Sequence, residues 1–398
     1  MRLPGFRENL LRPASGEVSD RVTFTELFFD LVFVFAVTQV SHVLIEHHSF
    51  DALVHTLILG LIVWWVWVDT VWVTNWLNPE LPAVRGMLLG LMLLGLLMAS
   101  AMPEAFGHKA VLFAVCLVAA QVGRSVFTML SFARHRPGHA VNFLRISIWL
   151  SASGVFWIWG AFASDDLRPW IWAIALVVDY SGPRARFRVP GLGPSGLKTW
   201  DVTGEHMAER VSLFIIIALG ESIIVAGTTF SGLDVDWMTI SAFCSTFAST
   251  VLLWLLYFNH NQRGGSEYIS QADERGLIAQ VAYTYVPVPM VFGIVVAAVA
   301  DNVVLLHPLD GDVWAAGLIC GAPLVYLFGN ASFTKAIGGP WLLSHLIGMV
   351  LLALLFVMRD AVAPVTLNWI GNAVLAAVVV ADEFSLRRRR RLHEERID

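Results

Sequence analysis

Long apolar segments separated by short polar turns run through almost the whole chain, and that alternation limits what it can fold into. Twelve can be marked, at 24–45, 53–74, 86–106, 109–133, 144–163, 168–181, 207–229, 237–258, 276–300, 314–334, 340–358 and 365–382. Most reach the roughly 20 residues a helix needs to cross a bilayer. The expected fold is all-α, a polytopic integral membrane helical bundle of about twelve transmembrane helices. Composition agrees: 57% of residues are hydrophobic and 14% charged, against roughly 25% charged in a soluble domain. Mean hydropathy is +0.68. Of sixteen Trp, Trp72, Trp76, Trp170, Trp237, Trp341 and Trp369 lie near segment ends, where indoles favour the membrane interface. Cys116, Cys244 and Cys320 each sit in an apolar run without zinc-type spacing and read as buried packing residues.

Orientation follows from Lys and Arg, which concentrate in short cytoplasmic loops. With twelve spans, Arg2, Arg7, Arg12, Arg21, Arg85, Arg134, Arg136, Arg184, Arg186, Arg188, Lys198, Arg263, Arg275, Lys335, Arg396 and the run Arg387 to Arg391 share one side. Only Lys109, Arg168 and Arg359 fall on the other. The sixth segment is short, but deleting it would export the five-Arg run, so it is expected to cross. Both termini are then cytoplasmic. The Arg run reads as an orientation anchor near anionic lipid, not as a grip on nucleic acid. Residues 1–21 contain prolines, acids and arginines with no apolar core and cleavage site, so the first span is expected to serve as insertion signal.

A shift of about 189 residues aligns Asp20-Arg-Val-Thr-Phe24 with Glu209-Arg-Val-Ser-Leu213. Arg85-Gly-Met-Leu88 then matches Arg275-Gly-Leu-Ile278, and Val177-Val-Asp179 resembles Val379-Val-Ala-Asp382. The expected organisation is a 6+6 tandem repeat: 1–181, a cytoplasmic linker at 182–206, and 207–398. Six is even, so the halves would share one orientation.

A carboxylate at bilayer depth costs from about 2.5 kcal/mol, so it faces a protein interior, a partner or a water path. In the first span, Thr23, Glu26, Asp30, Val37 and Ser41 fall near one helical face. Glu26 has two readings, a local cap or pair with Arg21 or Arg210, and a site member; Asp30 lies deeper. In the seventh, Arg210, Ile217, Glu221 and Thr228 share a face, and Gly220 leaves room for a neighbouring helix. Glu221 reads as a structural inter-helix hydrogen bond or a site group. Arg124 in the fourth span needs an acid, with Asp30, Asp69 and Glu221 as candidates. Asp69 and Asp179 close the second and sixth spans, where an interfacial reading competes with a functional one.

Weaker signals surround these. His48, Asp51 and His55, beside His47, would align on a helix and could hold zinc, although a solvated loop is the commoner outcome for such residues. Pro287 and Pro289 predict a broken or kinked ninth span. Gly86/Gly90 and Gly317/Gly321 have the spacing of close helix packing. No catalytic or cofactor fingerprint is present, which argues against familiar enzyme chemistry.

The runs Thr23-Phe-Thr-Glu26-Leu-Phe-Phe-Asp30-Leu-Val-Phe-Val-Phe-Ala and Glu209-Arg-Val-Ser-Leu-Phe-Ile-Ile-Ile-Ala-Leu-Gly-Glu221-Ser-Ile-Ile resemble the bacterial low-temperature-requirement A (LtrA) family over nearly the whole chain. The resemblance implies a bacterial plasma-membrane protein of a family named for a growth defect in the cold. It reaches Glu26, Asp30, Glu209, Arg210 and Glu221 without bringing a substrate or a role for any of them. The residues themselves lead to a secondary transporter or ion- or proton-coupled permease. In it Glu26, Asp30 and Glu221 bind a cation or relay protons, Arg124 and Arg210 neutralise them, and Asp69 is a further candidate. Its expected partners are membrane lipids and a cation, proton or small solute, with no cofactor. A membrane-embedded enzyme and a non-transporting structural or regulatory protein supporting growth in the cold are the alternatives.

Overall fold

The structure is a computed structural model that describes residues 9–12, 22–196, 200, 204–259 and 280–394. Its helices are α1 (Phe24–Glu46), α2 (Phe50–Trp76), α3 (Pro82–Ala101), α4 (Ala110–Phe132), α5 (Pro137–Phe162), α6 (Arg168–Arg184), α7 (Gly204–Ser231), α8 (Trp237–Phe258), α9 (Pro287–Leu306), α10 (Val313–Ala336), α11 (Leu343–Val357) and α12 (Pro364–Glu394). No strand occurs among the described residues. Ten of these helices are long and apolar enough to cross a membrane, while α6 has 17 residues and α11 has 15. The all-α polytopic expectation therefore holds, with each apolar segment near its expected place. Asp20, Arg21, Arg263 and Arg275, and residues 197–199 and 201–203 of the expected linker, lie outside the described residues.

Local chemistry starts and stops the helices. Thr23, Ser49, Asp236 and Asp312 each accept a backbone N–H of the first turn, relieving donors that would otherwise be orphaned. Proline opens α3, α5 and α9, where its missing N–H costs nothing. The ninth span is interrupted as the prolines predict: a π-helical turn at Gln280–Tyr285 precedes α9.

The chain packs as two compact units, Met1–Val211 with Ile269–Thr284, and Ser212–Tyr268 with Tyr285–Asp398. In the first, α2 packs against α1, α4 and α6, and its Trp64, Trp65 and Trp67 are fully buried. In the second, α9 lies along α10, and α12 packs against α8, α10 and α11.

Three expectations need correction. A Cβ added at Gly86, Gly90, Gly220, Gly317 or Gly321 would meet nothing within 4 Å, so these glycines do not mark close packing. Gly86, Gly90 and Gly317 face outward. The close approach is made by Gly293 and Gly329, where a Cβ would lie 2.9 Å from Tyr326 N and 2.7 Å from Met290 N respectively. Trp72 and Trp76 are buried, unlike Trp170, Trp237, Trp341 and Trp369, which are exposed as interfacial indoles should be. Cys116 and Cys320 are buried, but Cys244 is exposed on α8.

Candidate functional site

The start of α1 is tied by a capping box: Thr23 Oγ1 accepts from Glu26 N, and Glu26 Oε2 accepts from Thr23 N at 2.9 Å. Residues Leu10 to Arg12 run beside the end of α2, with Arg12 N donating to Trp76 O and Asn78 N to Leu10 O. That course directs the Arg12 guanidinium to Thr74 O at 2.7 Å and Glu26 Oε2 at 3.0 Å. On α7, His206 and Arg210 are four residues apart and share a face. His206 Nε2 lies 2.9 Å from Glu26 Oε1, and its Nδ1 lies 3.3 Å from Asn75 Nδ2. The same Nε2 also lies 3.1 Å from Arg12 Nη2, so His206 sits between the guanidinium and the carboxylate.

Arg210 joins the two acids. Its Nη2 donates to Asp30 Oδ1 at 2.7 Å, while its Nη1 stands 3.4 Å from Glu26 Oε1, an ion-pair distance without hydrogen-bond alignment. The guanidinium lies over the Trp67 ring, 5.8 Å from its centroid, and Trp67 Nε1 also donates to Asp30 Oδ1 at 2.9 Å. Glu26, Asp30, His206 and Arg210 are all at least 98% buried. The acids are nevertheless unequal. Both Glu26 oxygens have partners, whereas Asp30 Oδ2 is sealed from solvent with no hydrogen-bond partner among the described residues. Chemically this is a buried two-carboxylate network with one oxygen able to accept a proton or a cation.

Arg124 and Asp69 form a separate pair. Arg124 Nη2 meets Asp69 Oδ2 at 2.9 Å, and Nη1 donates to Val66 O and Thr70 Oγ1, both at 2.9 Å. Of the three expected partners, then, Asp69 takes Arg124, while Asp30 takes Arg210. The pair lines a cavity of about 40 Å³ inside the first unit, walled by Trp72, Trp76, Trp200 and Thr284. The break before α9 contributes here: the Thr284 carbonyl and hydroxyl accept from Trp64 and Trp72. Asp179 is buried and accepts from Trp157 Nε1 at 3.0 Å, so it is not interfacial. Glu221 is buried in the second unit.

His47, His48, Asp51 and His55 line one open pocket together with His108. His47, His48 and Asp51 are exposed, and His55 stacks on Phe106 with centroids 3.7 Å apart. Among the described residues no three His, Cys, Asp or Glu side chains are placed to hold a metal.

A family model described as "Bacterial low temperature requirement A protein (LtrA)" matches residues 21–381. The chain belongs to the LtrA family. An uncharacterized protein of Rhizobium meliloti (strain 1021) is 38% identical over 373 residues, 93% of this chain and 91% of that protein. No solved structure matches. With its apolar helices, this LtrA-family chain is a multi-pass membrane protein. The matched region contains Glu26, Asp30, Asp69, Arg124, Arg210 and Glu221, and it leaves Arg12 outside.

Sequence reasoning did not assign Arg12, His206 or Trp67 to the network. The i, i+4 relation of His206 and Arg210 was a legible signal for His206. Arg12 had none, because its place depends on a short extended segment pairing with the end of α2.

Proposed function

We propose that this chain is a secondary transporter of the plasma membrane, both termini cytoplasmic, that couples movement of a small solute or ion to occupancy of Asp30 by a proton or cation. The observation that carries the reading is the unequal use of the two acids: Asp30 offers a buried, unpartnered oxygen beside a guanidinium it shares with Glu26. While Asp30 is charged, Arg210 holds to it at 2.7 Å. A proton or cation arriving at Oδ2 weakens that attraction and tips Arg210 toward Glu26, a partner already within ion-pair reach. Burial makes such a change large, because charges in a dry interior are poorly screened. The aromatic-walled Arg124–Asp69 cavity, with room for about three waters, sets a second buried ion pair beside a small polar space. Lipid, a proton or cation, and the small solute are the partners on this reading.

Flux in proteoliposomes, screened over ions and small solutes with and without a pH gradient, tests it. The parent is expected to carry a pH-dependent flux that Asp30→Asn and Glu221→Gln reduce. Equal flux in all three would remove the assigned roles. A structural role is favoured by one observation and for one residue: the saturated capping-box geometry of Glu26.

A further inference from the structure

Among the described residues, Asp301 is the most isolated buried acid of the second unit. It lies on α9, is 3% exposed, and has no hydrogen bond or ion pair among the described residues; its Oδ2 is sealed from solvent. A carboxylate removed from water without a partner is costly enough that something must neutralise it. Asp301 opens onto a cavity of about 20 Å³ where α8, α9, α10 and α12 meet. A single water needs about 10–15 Å³ on this measure, so the space suits one water-sized occupant and no organic molecule.

The other walls are mostly apolar, but three polar side chains among them, Ser249, Asn368 and Asn372, are short of hydrogen. Ser249 Oγ lies 2.8 Å from Asn372 Oδ1, 3.4 Å from Asn368 Oδ1 and 3.1 Å from Ser245 O. A hydroxyl has one proton, so it can satisfy only one of these three acceptors at a time. The amide hydrogens that would relieve the shortage are turned away: Asn368 Nδ2 donates to Ser245 Oγ at 3.0 Å and Asn372 Nδ2 to Ser245 O at 2.8 Å. On α10, Pro323 lies inside the helix and lines the same cavity. It has no N–H for the Ile319 carbonyl four residues earlier, and Ile319 also lines the cavity.

We infer that the cavity around Asp301 binds one monovalent metal cation of about the size of sodium, held by the Asp301 carboxylate, the side-chain oxygens of Ser249, Asn368 and Asn372, and the Ile319 carbonyl. Hard oxygen ligands of this kind replace the hydration shell of an alkali ion. One carboxylate balances one positive charge, whereas a divalent ion would leave a net charge buried. The inference is independent of the transport reading, because it concerns equilibrium binding in a different set of helices.

The test uses the full-length chain purified in detergent, with sodium, potassium, lithium or choline as the sole monovalent cation at equal ionic strength. A ligand that binds only the folded state raises the unfolding temperature. Sodium is expected to raise it relative to choline in the parent and in Asp30→Asn, but not in Asp301→Asn. Radiolabelled sodium should bind at one per chain and be displaced by unlabelled sodium but not by choline. Asn372→Ala, which keeps the carboxylate, should weaken that binding by about tenfold, the size of effect expected for loss of one good oxygen partner to a charge. The Asn372→Ala arm decides the matter if Asp301→Asn does not fold. Equal unfolding temperatures in all four cations would overturn the inference and leave a proton as the neutralising species. Undiminished sodium binding in Asp301→Asn or Asn372→Ala would overturn the assigned ligands.

Discussion

Asp30 and Glu26 are one helical turn apart and meet the same guanidinium, yet their surroundings ask different things of them. Glu26 closes a capping box and also takes Arg12 and His206, so each of its oxygens is used. Asp30 receives Arg210 and Trp67 on one oxygen and, among the described residues, nothing on the other. Arg210 is the residue both depend on, since its removal leaves two buried carboxylates facing each other without that charge. Arg210→Ala is expected to cost about 3–5 kcal/mol, the range found when one partner of a buried ion pair is deleted. Arg210→Lys should recover only part of it, because a single ammonium cannot span two acids as a planar guanidinium does. Denaturant unfolding in detergent measures both, and a loss in Arg210→Ala no larger than that of an exposed substitution would show that the network is not holding α1 to the start of α7. At this scale much was legible. Glu26, Asp30, Arg124 and Arg210 stood out because charges within apolar runs are costly, and the structure buries all four. The pairings were legible only as alternatives. Arg124 chose Asp69, and Arg12 joined Glu26 through backbone bonds that no local pattern encodes.

At the scale of elements, apolar run length located the helices well, because a chain in lipid must satisfy its backbone within each helix. Boundaries carried a larger consequence. The ninth apolar segment ends at Ala300 when judged by hydropathy, which sets Asp301 one residue outside the membrane. The helix in fact continues to Leu306, and Asp301 is buried within it. The glycines teach a related lesson. Spacing marked Gly86/Gly90 and Gly317/Gly321, but a spacing says only that small residues share a helix face, and those faces meet no neighbour. At Gly293 the atoms a Cβ would strike are Tyr326 N at 2.9 Å and Ala322 O at 3.0 Å, backbone atoms that cannot swing aside. Gly293→Ala is therefore expected to lose about 1–3 kcal/mol from overpacking. Gly317→Ala should stay within about 0.5 kcal/mol of the parent, as an exposed substitution does. Thermal unfolding of the two variants in one detergent gives the comparison, and equal midpoints would mean that α9 and α10 do not pack closely at Gly293.

For the molecule as a whole, the twelve crossings with cytoplasmic termini that we propose predict which loops face which side. In a background lacking Cys116, Cys244 and Cys320, a cysteine at Ser49 should react with an impermeant thiol reagent added outside intact cells. One at Asn78 should react only after permeabilisation, and the reverse pattern would invert the orientation. The sequence by itself determined that this chain is helical, that it belongs in a membrane, and that Glu26, Asp30, Arg124, Arg210 and Glu221 stand within apolar runs. Those properties depend on composition along a single segment and on the price of leaving polar groups in hydrocarbon. Only the tertiary structure decided which acid each arginine meets, which glycines lie at helix contacts, and that Asp301 shares a cavity with Ser249, Asn368 and Asn372. Each of these depends on which faces of distant helices turn toward one another, and that is set by packing among segments far apart in the chain.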